Sequence, residues 1–166
     1  MKDPKLLELM KDYKGRDEVP ADFDAFWDRS LANIAELPEY KLEEQDFSIP
    51  NVICYELTFK GTRDGLVYAR VVFPKSDQKV PVIFHFHGYM GRCWDWTDML
   101  AYTAAGYGVV SMDVRGQSGY STDGVRSPLG NTVKGQIIRG AVEGPHELFY
   151  KDVYLDLYQL IEIVAS

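Results

Sequence analysis

The sequence predicts an α/β fold whose sheet begins antiparallel and turns mostly parallel, and three stretches carry that prediction. Val80–His87 is an apolar run rich in Val, Ile and Phe, the composition of a strand covered on both faces. Trp94–Ala105 follows as a helix stopped by Gly106, and Gly108–Asp113 is a second short apolar strand. Strand, helix, strand over residues 80–113 makes a βαβ unit. Upstream, Asn51–Lys60 and Leu66–Phe73 flank the turn residues Thr62-Arg63-Asp64-Gly65 and read as an antiparallel hairpin, with Pro74 as its stop.

Taken in order, residues 1–19 are charged and weakly patterned and read as an arm. A helix is expected from Pro20-Ala21-Asp22, with Pro in its first turn and carboxylates at Asp22 and Asp24 near its positive end. Phe23, Phe26, Trp27, Ile34 and Leu37 recur at helical spacing up to Pro38, a packing stripe. Residues 1–38 are thus an N-terminal arm and helix, and residues 51–166 carry the sheet and its helices. Ser76–Lys79 is a polar loop into the strand at Val80. Residues 114–145 are glycine-rich and without periodicity, and a loop of that length inside a compact domain is usually functional. His146–Ala165 is a helix with Val153, Leu157, Leu160, Ile161 and Val164 on one face. An amphipathic helix after a strand normally leads to another parallel strand, so the sheet reads as unfinished and residues 1–166 as the N-terminal part of a single larger domain.

Composition bounds the partners. The net charge is −7, from 18 basic and 25 acidic side chains, with no basic cluster, which argues against nucleic acid or an anionic membrane as partner. No apolar run approaches the roughly 20 residues of a membrane span, and Met1-Lys2-Asp3-Pro4 lacks the apolar core of a secretory signal. Cys54 and Cys93 are far apart, which predicts two reduced thiols in a cytoplasmic protein.

Two turns fall at the carboxyl ends of adjacent parallel strands, where open α/β sheets bind ligands. The first is His87-Gly88-Tyr89. Histidines at 85 and 87 share a strand face and admit a metal site, but no third ligand follows at metal spacing; loop-orienting hydrogen bonds are the plainer role. The backbone offers more. In α/β-hydrolases one oxyanion-hole N–H comes from the loop between a buried strand and the first helix, and Tyr89 N–H has that place. The second turn is Asp113-Val114-Arg115-Gly116-Gln117-Ser118-Gly119. Arg115 has the chemistry to pin the long loop through a bidentate carboxylate pair. Gly116-Gln117-Ser118-Gly119 is not a nucleophile elbow, because its last glycine is one place early and no helix follows. Asp113 does not suit a triad acid, which follows the nucleophile in this fold, and Gly106-x-Gly108 precedes a strand instead of opening a helix.

At these residues the sequence resembles carbohydrate esterase family 7, the acetyl xylan esterases and cephalosporin-C deacetylases. The resemblance rests on His87-Gly88-Tyr89, on Asp113–Gly119, on the segment Ala21–Trp27 and on the helix Tyr150–Val164. It implies an α/β-hydrolase fold and a serine esterase that removes acetyl groups from small esters such as acetylated xylo-oligosaccharides or cephalosporin C. It implies no cofactor, and homo-oligomeric, hexameric assembly; no metal is expected, because no third ligand follows the two histidines at metal spacing. By this resemblance Tyr89 supplies an oxyanion N–H, and His87, Gly88, Arg115, Gly116 and Gln117 form the supporting loops. None of the catalytic nucleophile, acid and base falls within residues 1–166; the triad is expected beyond residue 166. Another α/β-hydrolase chemistry, a peptidase or thioesterase, is the alternative on the same frame, opposed by Arg115-Gly116-Gln117. A non-enzymatic fragment or binding module is the third reading, opposed by the unfinished sheet.

Overall fold

The computed structural model describes residues 3–34, 36–127, 130–131 and 133–166. They fall into two compact units, Met1–Asn33 and Ile34–Ser166. The first holds two helices. α1, Pro4–Lys11, lies inside the stretch read from sequence as an arm; Asp3 caps it, its carboxylate accepting Lys5 N–H at 2.9 Å, and Pro4 opens it. α2, Phe23–Ala32, is the expected aromatic helix, with Trp27 edge-on to Phe23 and to Phe26. It stops short of Ile34 and Leu37 because the chain leaves the helix at its cap, Asn33.

The second unit is built on a five-stranded sheet. Its strands are β1 (Tyr40–Glu44), β2 (Val52–Lys60), β3 (Leu66–Pro74), β4 (Val82–Phe86) and β5 (Gly108–Asp113), in the order β1-β2-β3-β5-β4. The expected hairpin is β2–β3, in register from Val52 opposite Pro74 to Lys60 opposite Leu66. β1 is a strand that the sequence pattern does not announce: its five exposed residues pair antiparallel with β2. β3 pairs antiparallel with β5, and β5 pairs parallel with β4, which completes the βαβ unit through α3, Trp96–Ala104.

One expectation needs correction and one is met in part. The helix α3 starts two residues later than its apolar pattern suggests, because Asp95 takes the cap position and the Trp94 carbonyl accepts from Arg70 Nη1 at 2.8 Å. The Val80–His87 run forms β4, Val82–Phe86, and among the described residues its outer edge is open, as the unfinished sheet expected from the sequence requires. β4 closes the order of the sheet, its residues are only half-buried, and Phe86 is exposed.

Strand alternation divides the core between two helices. On one face Leu57, Phe59, Val67, Val71, Val110 and Met112 pack with Leu160 and Ile163 of α4, Phe149–Ala165. On the other, Cys54, Val72 and Val109 pack with Met99 of α3. A short antiparallel ribbon, β6 (Arg126–Ser127) and β7 (Gly130–Asn131), lies within the long loop before α4. No described helix is long and apolar enough to cross a membrane.

Candidate active site

The parallel pairing of β4 and β5 brings Phe86 opposite Met112, so both strands release their chains at one edge of the sheet. The turns that follow are those singled out in the sequence, and three hydrogen bonds tie them together. Val114 N–H donates to His87 Nε2 at 2.9 Å, Met90 N–H to Gln117 Oε1 at 2.8 Å, and Cys93 N–H to Asp113 Oδ1 at 2.6 Å. Positions 113, 114 and 117 of one turn thus hold positions 93, 87 and 90 of the other.

Gly88-Tyr89-Met90-Gly91 is a β-turn closed by Gly91 N–H on Gly88 O at 2.9 Å. Met90 has φ +55, the left-handed value that a type II turn needs at its third position, and its amide is taken by Gln117. Tyr89 N–H carries no hydrogen bond among the described residues. A cavity of about 310 Å³ opens beside the turn, with His87, Gly88, Tyr89 and Gln117 on one side and Phe149 and Tyr154 of α4 on the other.

The histidines do orient loops. Because His87 Nε2 accepts from Val114, the neutral ring carries its proton on Nδ1, which donates to Gly88 O at 2.8 Å. His85 Nδ1 meets Ser111 Oγ at 2.8 Å, and its ring stacks on Trp94 at 3.9 Å. Burial, then the nearby His87 ring, pushes the His85 pKa below its ordinary value. This Ser–His pair resembles a nucleophile and base, but Ser111 is wholly buried and its oxygen accepts Trp94 N–H at 2.8 Å. It is a strand-to-loop brace. Among the described residues no group of three His, Cys, Asp or Glu side chains is arranged to hold a metal ion.

Asp113 is structural too. Its Oδ2 accepts Tyr120 N–H at 2.7 Å, and its carbonyl accepts Ser121 Oγ at 2.6 Å. Gly119 lies against this carboxylate at φ +117, and a Cβ there would overlap the oxygens. Cys93 beside it is no nucleophile: burial, then the Asp113 charge, pushes its thiol up to about 12. Ser118 is half-buried in the turn, with no hydrogen bond to a histidine among the described residues.

Arg115 anchors the whole turn. Its guanidinium is wholly buried and grips Asp156 of α4 bidentately, Nε to Oδ2 at 2.6 Å and Nη2 to Oδ1 at 2.7 Å, and reaches Thr62 O at 2.8 Å. Arg139, further along the loop, donates to Asp123 at 3.1 Å and to Asp152 at 2.7 Å. Burial works against the Arg115 charge, yet Asp156 first, then Asp152 and Asp123, hold its pKa above the ordinary guanidinium value. Burial raises the Asp156 carboxyl, and the Arg115 bonds counter that rise. Gly116 O accepts Gly135 N–H at 2.8 Å, so the same turn also carries the far part of the loop. The Arg139 cluster is the part that sequence reasoning misses; its trace is an arginine among the glycines of residues 114–145, followed by the i, i+4 pair Asp152 and Asp156 on the helix.

The family description acetyl xylan esterase (AXE1) matches residues 1–166. Among solved structures, acetyl xylan esterase 1 from Thermoanaerobacterium sp. JW/SL YS485 is 39% identical with a TM-score of 0.85, over 95% of this chain and 50% of that one. Acetyl xylan esterase from Paenibacillus sp. R4 is 27% identical with a TM-score of 0.84, over 96% of this chain and 51% of that one. The chain therefore spans about half the length of these relatives, with the α/β-hydrolase-type fold that its sheet order and helices already display. With that family match along its whole length, the chain belongs to the acetyl xylan esterase family.

Proposed function

We propose that residues 1–166 are the N-terminal part of a single α/β-hydrolase domain, a serine esterase that removes acetyl groups from small esters such as acetylated xylo-oligosaccharides or cephalosporin C. The observation that carries this reading is the free Tyr89 amide, held at the carboxyl edge of the sheet beside a cavity of about 310 Å³. Family membership supports the reaction class.

In this reading a serine supplied by sequence beyond residue 166 attacks the acetyl carbonyl. The negative charge that develops on the carbonyl oxygen is met by Tyr89 N–H and a second donor from that other segment. The alcohol leaves with a proton from the triad histidine, and water then releases acetate from the acyl-enzyme. His87, Gly88, Arg115, Gly116 and Gln117 support the donor without touching the substrate. Homo-oligomeric assembly, hexameric by family resemblance, and a cytoplasmic setting complete the proposal; the two free, buried thiols fit a reducing compartment.

The test is acetyl-ester hydrolysis by the full-length gene product, combined with fluorophosphonate labelling and peptide mapping. The expected result is hydrolysis, with the label on a serine outside residues 1–166. A label on Ser118, or no hydrolysis of any acetyl ester, refutes the reading.

A further inference from the structure

The peptide unit that joins Gly88 to Tyr89 is held by its carbonyl end. Two donors converge on Gly88 O: Gly91 N–H at 2.9 Å and the His87 Nδ1 at 2.8 Å. The unit is trans and planar, so its N–H points opposite to its C=O. Whatever fixes the Gly88 carbonyl therefore fixes the direction of Tyr89 N–H. The ring that does so is itself fixed, since Val114 N–H donates to His87 Nε2 at 2.9 Å and leaves the proton on Nδ1. Gly91 makes room for the grip: a Cβ there would come within 2.8 Å of His87 Nδ1 and 2.9 Å of Gly88 O.

We propose that His87 is a positioning residue for the oxyanion donor: its Nδ1–H grips the Gly88 carbonyl and so aims the Tyr89 amide. The proposal rests on the role given to Tyr89 above. The grip has a second effect. A donor on the carbonyl oxygen polarises the peptide and strengthens its N–H toward a developing oxyanion. The imidazole neither meets the substrate nor moves a proton in the reaction; both of its nitrogens are used within the protein.

Two amide replacements separate the two nitrogens in the full-length gene product. In His87→Asn the side-chain amide nitrogen falls near the Nδ1 position and keeps a donor for Gly88 O. In His87→Gln the amide reaches the Nε2 position, keeps an acceptor for Val114 N–H and loses the donor. His87→Gln should lower kcat about 10²-fold with KM changed by less than about threefold, the signature of a misaimed transition-state contact. His87→Asn should recover most of that loss. Thermal unfolding of each variant establishes that it is folded. A folded Gln variant with near-normal kcat overturns the proposal, and so does an Asn variant as slow as the Gln variant.

A histidine ¹⁵N spectrum of the unmutated protein reads the tautomer without reference to activity. The proton on Nδ1 supports the grip, and the proton on Nε2 overturns it. Absence of acetyl-ester hydrolysis in the unmutated protein is a separate result, which removes the esterase reading itself.

Discussion

Replacing Asp156 by Asn tests whether the buried ion cluster holds the site turn to the sheet. The substitution keeps shape and one acceptor oxygen, and removes the charge facing Arg115. In the native protein two short charge-assisted bonds of 2.6 and 2.7 Å join the pair, and both side chains are wholly buried. Asp123 and Asp152 lie 3.7 and 3.9 Å from Arg115 Nη1, near enough to attract but too far to hydrogen-bond well. The same carboxylate accepts Thr62 N–H at 3.0 Å, which Asn oxygen can still do. Breaking a buried pair by removing one partner costs about 3–5 kcal/mol. The two remaining aspartates and the retained oxygen put Asp156→Asn at the lower end, about 3 kcal/mol.

The assay is urea unfolding of the full-length protein. With a slope of about 2 kcal/mol/M, the midpoint should fall by about 1.5 M. Glu8→Gln, which breaks the exposed pair with Lys11, should leave the midpoint nearly unchanged. A fall of less than about 0.5 M in Asp156→Asn would refute the argument. It would mean that Asp123 and Asp152 carry the Arg115 charge and that the bidentate pair is dispensable.

Further predictions concern the thiols and the turn. Burial raises the pKa of Cys54 and lifts that of Cys93 to about 12, so both stay protonated at pH 8; iodoacetamide should label neither in the folded protein and both in urea, and rapid native labelling would contradict this. Tyr89→Pro removes the proposed donor N–H. In a folded full-length variant kcat should fall by about 10²–10³ while KM changes little, and a near-normal kcat would exclude Tyr89 as donor.

What the sequence displays follows from how strongly each segment is patterned on its own. β2 alternates from Tyr55 to Lys60, β3 is a nearly continuous apolar run bounded by turn residues and Pro74, and α4 repeats its apolar residues over four turns, so hairpin and last helix are legible. β1 is not, because Tyr40-Lys41-Leu42-Glu43-Glu44 has no buried face and becomes a strand only by pairing with β2. α1 is hidden for a related reason: Leu6, Leu7, Leu9 and Met10 are all exposed, and its one signal is the Asp3-Pro4 start. The β4 run has a core composition at the end of the sheet order within residues 1–166, which agrees with a sheet that continues in sequence beyond them.

At the site, the glycine turns and the role of Arg115 as a pin are readable from residue type. The partners are not. His87 to Val114 and Gln117 to Met90 each span 27 residues, and only the parallel register of β4 and β5 brings them together. The Arg139 bonds to Asp123 and Asp152 depend likewise on how the loop returns to α4.

The claim that Tyr89 N–H meets the oxyanion is tested most directly by a crystal structure of the full-length protein with an alkyl phosphonate bound covalently to its nucleophilic serine. The phosphonyl oxygen stands where the oxyanion forms. The account predicts it about 2.7–3.1 Å from Tyr89 N, with Gly88 O still held by His87 Nδ1 and Gly91 N–H. A phosphonyl oxygen bound by other donors, with Tyr89 N beyond about 4 Å, would contradict it.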